Sequence, residues 1–307
     1  MTIFLELGIK ELVEEFQANG KPCATTQTIA ARRTGYVSST VLAGKSPAMH
    51  SEFVDELNGI QVKVYKPTNE PNLPVTVYFH GGCFVSGGYE THDAQIRQIA
   101  ALSNTIVICI KYRLAPEFVY PAAHDDVYNA VLAIKTEADK YGADTDKIVF
   151  VGDSAGGQLA LATSLRLKHA KQWLPCQQIL IYPMLDPKGR SASYKSNGTD
   201  YIITAKMLLS GFEMYVAGPQ SALDIAELNL LDADLSGLPS TTIITAEFDP
   251  LCDEGEQLYK LLRTHGVEAY CQRYLGVIHG FFQLAGVSDS AKQCISSIAY
   301  QISRLSR

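Results

Sequence analysis

The chain has 307 residues, of which 47% are hydrophobic and 19% charged, enough apolar material for one large core. Its net charge of −6, with no cluster of Lys and Arg, excludes the electrostatic footprint of a nucleic-acid or anionic-membrane binder and leaves small neutral molecules as the expected partners. Seven cysteines, an odd number without CxxC spacing, argue against both a disulfide framework and a zinc site.

The first twenty residues, MTIFLELGIKELVEEFQANG, lack the basic flank, continuous apolar core and small-residue cleavage site of a signal peptide. No stretch approaches the roughly 18 apolar residues that cross a bilayer. With buried free thiols expected in apolar runs such as VICI around Cys109, this predicts a cytoplasmic protein.

Leu5, Ile9, Leu12 and Phe16 recur at helical spacing among Glu6, Lys10, Glu11, Glu14 and Glu15, which predicts an amphipathic first helix. Its apolar face is expected either to pack on the core or to form part of a lid. Residues 20–49, rich in Thr, Ser, Gly and Ala, carry too weak a period to assign. His50 to Leu57 and Ile60 to Lys66 are β-type runs joined by Asn58-Gly59, a pair that tolerates positive φ, so a hairpin is predicted.

Beyond the hairpin, short apolar runs fall at Val75 to Phe79, Thr105 to Ile110, Lys147 to Val151, Gln178 to Tyr182, Thr241 to Ala246 and Glu268 to Tyr274. Continuous apolar runs of this length fit strands of a parallel sheet buried on both faces. Helical patterns lie between and after them, at 92–102, 122–141, 154–170, 251–265 and 289–305. The alternation predicts an α/β fold with a mostly parallel central sheet, helices on both faces, and sites at the carboxyl ends of the strands. It breaks between Asp186 and Leu238, where one helix near Thr204–Val216 is expected in an insertion over the sheet.

The stretch KIVFVGDSAGGQLALATSL, Lys147 to Leu165, reads as strand, tight turn and helix with Ser154 at the centre of Gly-x-Ser-x-Gly. In that setting the hydroxyl can stand exposed on a strained turn, as a nucleophile elbow requires. The same residues suit a plain N-cap turn, and the pentapeptide alone does not decide between them.

A hydroxyl nucleophile needs a base, an orienting acid and oxyanion donors, each at a strand end. His279 follows the last strand after the short loop Leu275 to Ile278, whereas His265 suits a helix C-terminus and His80 belongs to a glycine turn. Asp249 follows the strand Thr241 to Ala246. Asp249 as N-cap with Pro250 at the first helical position is an equally sound helix start, and the two roles are compatible. The order Ser154, Asp249, His279 is the chain order of α/β-hydrolases. The glycines in His80-Gly81-Gly82-Cys83-Phe84 follow a strand and can turn backbone N–H groups toward one point.

Through HGGCFVSGG (80–88), YRLAPE (112–117), PAAHDD (121–126), GDSAGG (152–157), YPMLD (182–186), DPLCDEG (249–255) and HGF (279–281), the chain resembles the hormone-sensitive lipase family of α/β-hydrolase esterases. The resemblance implies an α/β-hydrolase core at 50–185 and 239–307, an N-terminal cap segment at 1–49 and a cap insertion at 186–238. It implies Ser154 as nucleophile, Asp249 as acid and His279 as base, with Gly81, Gly82 and Ala155 as oxyanion donors and YRLAPE as scaffold.

No cofactor or metal is called for. The implied activity is hydrolysis of small, short-chain acyl esters. Amide or formamide hydrolysis on the same triad, or a catalytically weak small-molecule receptor, are the alternatives. A homodimer through an edge strand is implied by the family alone. The family usually has a third glycine where this chain has Cys83, and a positive φ there would strain the cysteine by about 1 kcal/mol or more.

Overall fold

A computed structural model describes residues 4–217 and 225–304. The expected ends of the chain and residues 218–224 of the expected insertion, including the end of the helix expected at 289–305, lie outside the described residues.

Eight strands form one sheet: β1 (Ser51–Leu57), β2 (Ile60–Lys66), β3 (Leu73–Phe79), β4 (Ile106–Ile110), β5 (Ala143–Asp153), β6 (Gln177–Ile181), β7 (Ser240–Phe248) and β8 (Ala269–Ile278). Their order is β1-β2-β4-β3-β5-β6-β7-β8. The β1–β2 and β2–β4 pairs are antiparallel and the remaining neighbours parallel, so a hairpin opens an otherwise parallel sheet. Asn58 and Gly59 turn that hairpin with φ of 52° and 77°, the left-handed pair such a two-residue loop requires.

Every residue of β3 and β4 is buried, which is why these strands read as unbroken apolar runs. Alternate residues feed opposite cores. Val75, Val77 and Phe79 join α4 (Ala122–Glu137), α5 (Ala155–His169) and α8 (Cys252–Thr264) on one face. Tyr78, Val107 and Val149 join α1 (Leu7–Ala18), α3 (Tyr89–Ser103) and α9 (Asp289–Ser303) on the other. Among the described residues no helix is long and apolar enough to cross a membrane, and all seven cysteines are free.

One unassigned stretch is filled in and two local readings are corrected. The stretch 20–49 contains a helix, α2 (Ile29–Ser38), whose Thr28 hydroxyl accepts from the Ala31 N–H at 3.2 Å. Its one buried residue is Arg32, so the core-facing position breaks the apolar period that would have revealed it. The strand β8 runs on to Ile278 through a positive-φ Gly276, so His279 stands at the strand end with no loop between. Helix α8 begins at Cys252 after Leu251, so neither Asp249 nor Pro250 takes the cap or first-turn position expected of it. In the insertion, a short α6 (Ala192–Ser196) precedes the expected helix, α7 (Ala205–Val216).

Candidate active site

Ser154 sits between the end of β5 and the first residue of α5 with φ of 55° and ψ of −118°. This is a region that L-residues avoid unless the surroundings hold them there. The hold is visible: the Ser154 N–H donates to the Ile181 carbonyl at 2.8 Å, and the Ser154 carbonyl accepts from Met184 N–H at 3.1 Å. The turn also needs its small neighbours, since a Cβ on Gly156 would fall 1.9 Å from the Phe79 carbonyl oxygen. Ser154 is not a side-chain N-cap of α5. Its hydroxyl faces His279 instead, so the cap reading of the motif fails.

His279 Nε2 lies 3.1 Å from Ser154 Oγ, and His279 Nδ1 lies 2.8 Å from Asp249 Oδ2. The three residues, expected from separate strand ends, are thus joined in one hydrogen-bonded chain. Asp249 is fully buried, and its second oxygen, Oδ1, accepts from the Leu251 N–H at 2.8 Å. Both carboxylate oxygens are therefore engaged, which fixes the orientation of the carboxylate facing the imidazole. The ring of Tyr182 packs against the imidazole at a centroid distance of 4.6 Å.

The glycine loop corrects one expected donor. The Gly81 N–H is spent on Asp153 Oδ1 at 3.0 Å and is also 3.3 Å from His92 Nε2. It is not available to a substrate oxygen. Among the described residues the N–H groups of Gly82 and Cys83 carry no partner, and Ala155, as the first residue of α5, has no intrahelical acceptor. The open donors around Ser154 are therefore those of Gly82, Cys83 and Ala155. Cys83 has φ of 55°, the positive value that the missing third glycine would supply more easily. Gly211 of α7 makes room for it, since a Cβ there would fall 2.7 Å from the Cys83 Cβ.

Asp153 anchors the loop from below. Its carboxylate also accepts from Tyr78 OH at 2.9 Å and meets His92 Nε2 at 3.2 Å. Burial would raise its pKa, but the adjacent His92, together with hydrogen bonds from His92 and Tyr78, outweighs that and holds it below the usual carboxylate range. His80 is buried, and desolvation, reinforced by His92, pushes its pKa down to about 3, so it is neutral. It stacks on Tyr112 at 4.1 Å, and Tyr112 OH donates to the His80 carbonyl at 2.8 Å. Arg113 forks onto Asp126, and the Ala115 N–H donates to the Phe84 carbonyl at 2.9 Å. The YRLAPE and PAAHDD segments thus brace the glycine loop, the scaffold role implied for the first of them.

A family model described as alpha/beta hydrolase fold matches residues 76–283, well over half of the chain. The chain belongs to the alpha/beta hydrolase family. Within it, the likeness to the hormone-sensitive lipase type of esterase holds. The hydrolase is 35% identical over 247 residues to carboxylesterase NlhH of Mycobacterium tuberculosis, covering 78% of this chain and 76% of the relative. It is 30% identical over 296 residues to ethyl acetate hydrolase of Pseudomonas putida, covering 92% of each. In structure it resembles the hyperthermophilic esterase of Pyrobaculum calidifontis with a TM-score of 0.90 at 34% identity, covering 99% of each chain.

The hydrolase opens Ser154 and His279 into a cavity of about 330 Å³. One wall is the glycine loop at Gly82, Cys83 and Ser86. The others come from regions whose sequence carried no chemical signal: Phe16 of α1, Arg32 and Tyr36 of α2, Ile202 and Ile203 just before α7, and Met207 in its first turn. Gln283 joins Tyr36 to His92, accepting from Tyr36 OH at 3.0 Å while its amide lies 2.8 Å from His92 Nε2. Among the described residues no cluster of His, Cys, Asp and Glu could hold a metal ion.

Proposed function

We propose that this hydrolase is a serine carboxylesterase acting on small, short-chain acyl esters through an acyl-enzyme at Ser154. It is a carboxylic ester hydrolase, as its relatives are named. The observation that carries the catalytic reading is the Ser154–His279–Asp249 hydrogen-bond chain beside three unspent backbone N–H groups.

In the forward half-reaction His279 Nε2 takes the Ser154 proton as Oγ attacks the ester carbonyl. The negative oxygen of the tetrahedral intermediate accepts from the N–H groups of Gly82, Cys83 and Ala155. Collapse breaks the bond to the alkoxy oxygen, and His279 returns the proton to the leaving alcohol. Water then attacks the acyl-enzyme with His279 again as base, and the carboxylic acid leaves as Ser154 regains its proton. Asp249 selects the His279 tautomer with its proton on Nδ1 and stabilises the imidazolium.

Gly82→Ala tests the revised donors. Gly82 has φ of 126°, and a Cβ there would fall 2.0 Å from the Ser86 carbonyl oxygen, so the loop must shift. The kcat on p-nitrophenyl acetate is expected to fall by about 10²–10³, the scale of a lost oxyanion donor. A kcat within about threefold of the parent enzyme would remove Gly82 from the role.

Residues 1–49 and 186–238 act as the cap over a core of 50–185 and 239–307, a division supported by the cavity walls that α1, α2 and the start of α7 supply. At about 330 Å³ the cavity lies at the low end of ligand pockets, which span about 300–1,000 Å³. This favours short acyl chains. With p-nitrophenyl esters of graded length, kcat/KM is expected to peak between acetyl and hexanoyl and to decline beyond. A steady rise toward palmitoyl would contradict the short-chain assignment.

A further inference from the structure

Two arginines stand side by side on α2 and are treated oppositely by the fold. Arg33 is saturated: Nη1 and Nη2 fork onto Glu117 at 2.8 and 2.6 Å, and Nε and Nη2 donate to the carbonyls of Val85 and Ala115. Arg32 is only 5% exposed and lines the cavity that holds Ser154 and His279. Yet its Nε and Nη2 are enclosed without a hydrogen-bond partner, and among the described residues it forms no ion pair. A buried cation with no counter-charge is costly, and proteins seldom keep one that nothing uses.

The groups around Arg32 do not supply the missing anion. It lies against the thiol of Cys83, and burial raises that thiol's pKa despite the opposing pull of the guanidinium, so the sulfur stays protonated and neutral. Asp153 shares the cavity wall but is committed to Gly81, Tyr78 and His92. Arg32 also borders an outer groove with Lys206 and Glu213 of α7, and Glu213 makes no ion pair with it among the described residues. The rest of the cavity near the serine is largely apolar, with Phe16, Pro22, Ile202, Ile203 and Met207.

We infer that Arg32 is a specificity residue that binds a carboxylate carried by the ester substrate, placing that carboxylate in the same cavity as Ser154. The inference rests on the esterase reading and adds the charge of the substrate to it. The chemistry fits a carboxylate. Elsewhere in this structure the Nε and Nη2 of Arg166 hold the two oxygens of Glu227 at 2.6 and 2.7 Å, and these are the two nitrogens that lack acceptors at Arg32. One guanidinium among apolar walls matches one negative charge, whereas a phosphate dianion would bring a second charge with no partner. Arg32 acts on recognition and not on the chemical step, so its loss should appear as a change of preference.

The test compares monomethyl glutarate with dimethyl glutarate, which carry the charge on the acyl side and mask it, and acetoxyacetate with its methyl ester, which do the same on the alcohol side. The anionic-to-neutral ratio of kcat/KM is measured for the parent enzyme, Arg32→Met and Arg32→Lys, with circular dichroism to confirm folding. In Arg32→Met at least one ratio is expected to drop by about tenfold or more, with partial recovery in Arg32→Lys. The pair that drops identifies the side on which the carboxylate sits. Both ratios unchanged in a folded Arg32→Met would overturn the inference.

Inhibition of the unmodified enzyme provides a readout independent of any variant. Glutarate is expected to compete with dimethyl glutarate more strongly than glutaramide does, and equal inhibition would count against the carboxylate site. If the parent enzyme hydrolysed neither neutral diester nor methyl acetoxyacetate, the esterase reading itself would fail, an outcome separate from a loss of charge preference.

Discussion

Ser154→Ala is expected to lower kcat on p-nitrophenyl acetate roughly a million-fold while leaving the far-ultraviolet spectrum and melting temperature close to those of the parent protein. The first part follows from the chemistry, since no other hydroxyl is described within hydrogen-bonding distance of His279 Nε2. The second follows from how the turn is held. The strained backbone at Ser154 is tied through its own N–H and carbonyl to Ile181 and Met184, and neither bond involves the hydroxyl. Removing Oγ leaves those bonds intact and takes away a donor from a site that is otherwise hydrogen-bonded. The measurement is steady-state kinetics beside thermal denaturation, and a variant retaining about one percent of the parent kcat would remove Ser154 from the central role.

Asp249→Asn is expected to cost about 10⁴ in kcat with little change in KM. The wild-type carboxylate accepts on both sides, from His279 Nδ1 and from the Leu251 N–H. An amide in its place has one oxygen and one NH₂, so it can accept from only one of those two partners. If the NH₂ faces the imidazole, His279 keeps its proton on Nε2 and cannot accept one from Ser154. If it faces Leu251, a buried N–H loses its acceptor and the turn before α8 loosens. Either outcome spoils the base, and kcat and KM measured together distinguish this from lost substrate binding. A variant within about tenfold of the parent kcat would show that Asp249 does not orient His279.

The sheet was readable in the sequence because its central strands are buried on both faces. Runs such as VTVYF and IVICI leave no polar alternation to confuse with a surface strand. The hairpin was readable for a different reason, in that Asn58 and Gly59 tolerate the left-handed backbone that the turn demands. Ser154, Asp249 and His279, which the structure joins by hydrogen bonds, could be picked out because each follows an apolar run and so stands at a strand end.

The wall that α2 supplies was not readable, although the segments that cap the site were expected at 1–49 and 186–238. Helix α2 turns an arginine inward, and a period built on apolar residues cannot report a charged one. The glycine loop misled in a related way: HGGC shows that N–H groups are presented but not which are already spent. Gly81 is lost to Asp153, a residue 72 positions away, and that pairing exists only after β3 and β5 lie side by side in the sheet. The strain expected of Cys83 matches its positive φ, but nothing in HGGC marks its N–H as open.

The most direct measurement is the intact mass and peptide map of the protein after reaction with a fluorophosphonate ester, which traps a serine nucleophile as its phosphonylated adduct. One adduct per chain is expected, located on the peptide that contains Ser154, with simultaneous loss of ester turnover and no adduct on the Ser154→Ala protein. An adduct on a different residue, or full labelling that left ester turnover intact, would contradict the account.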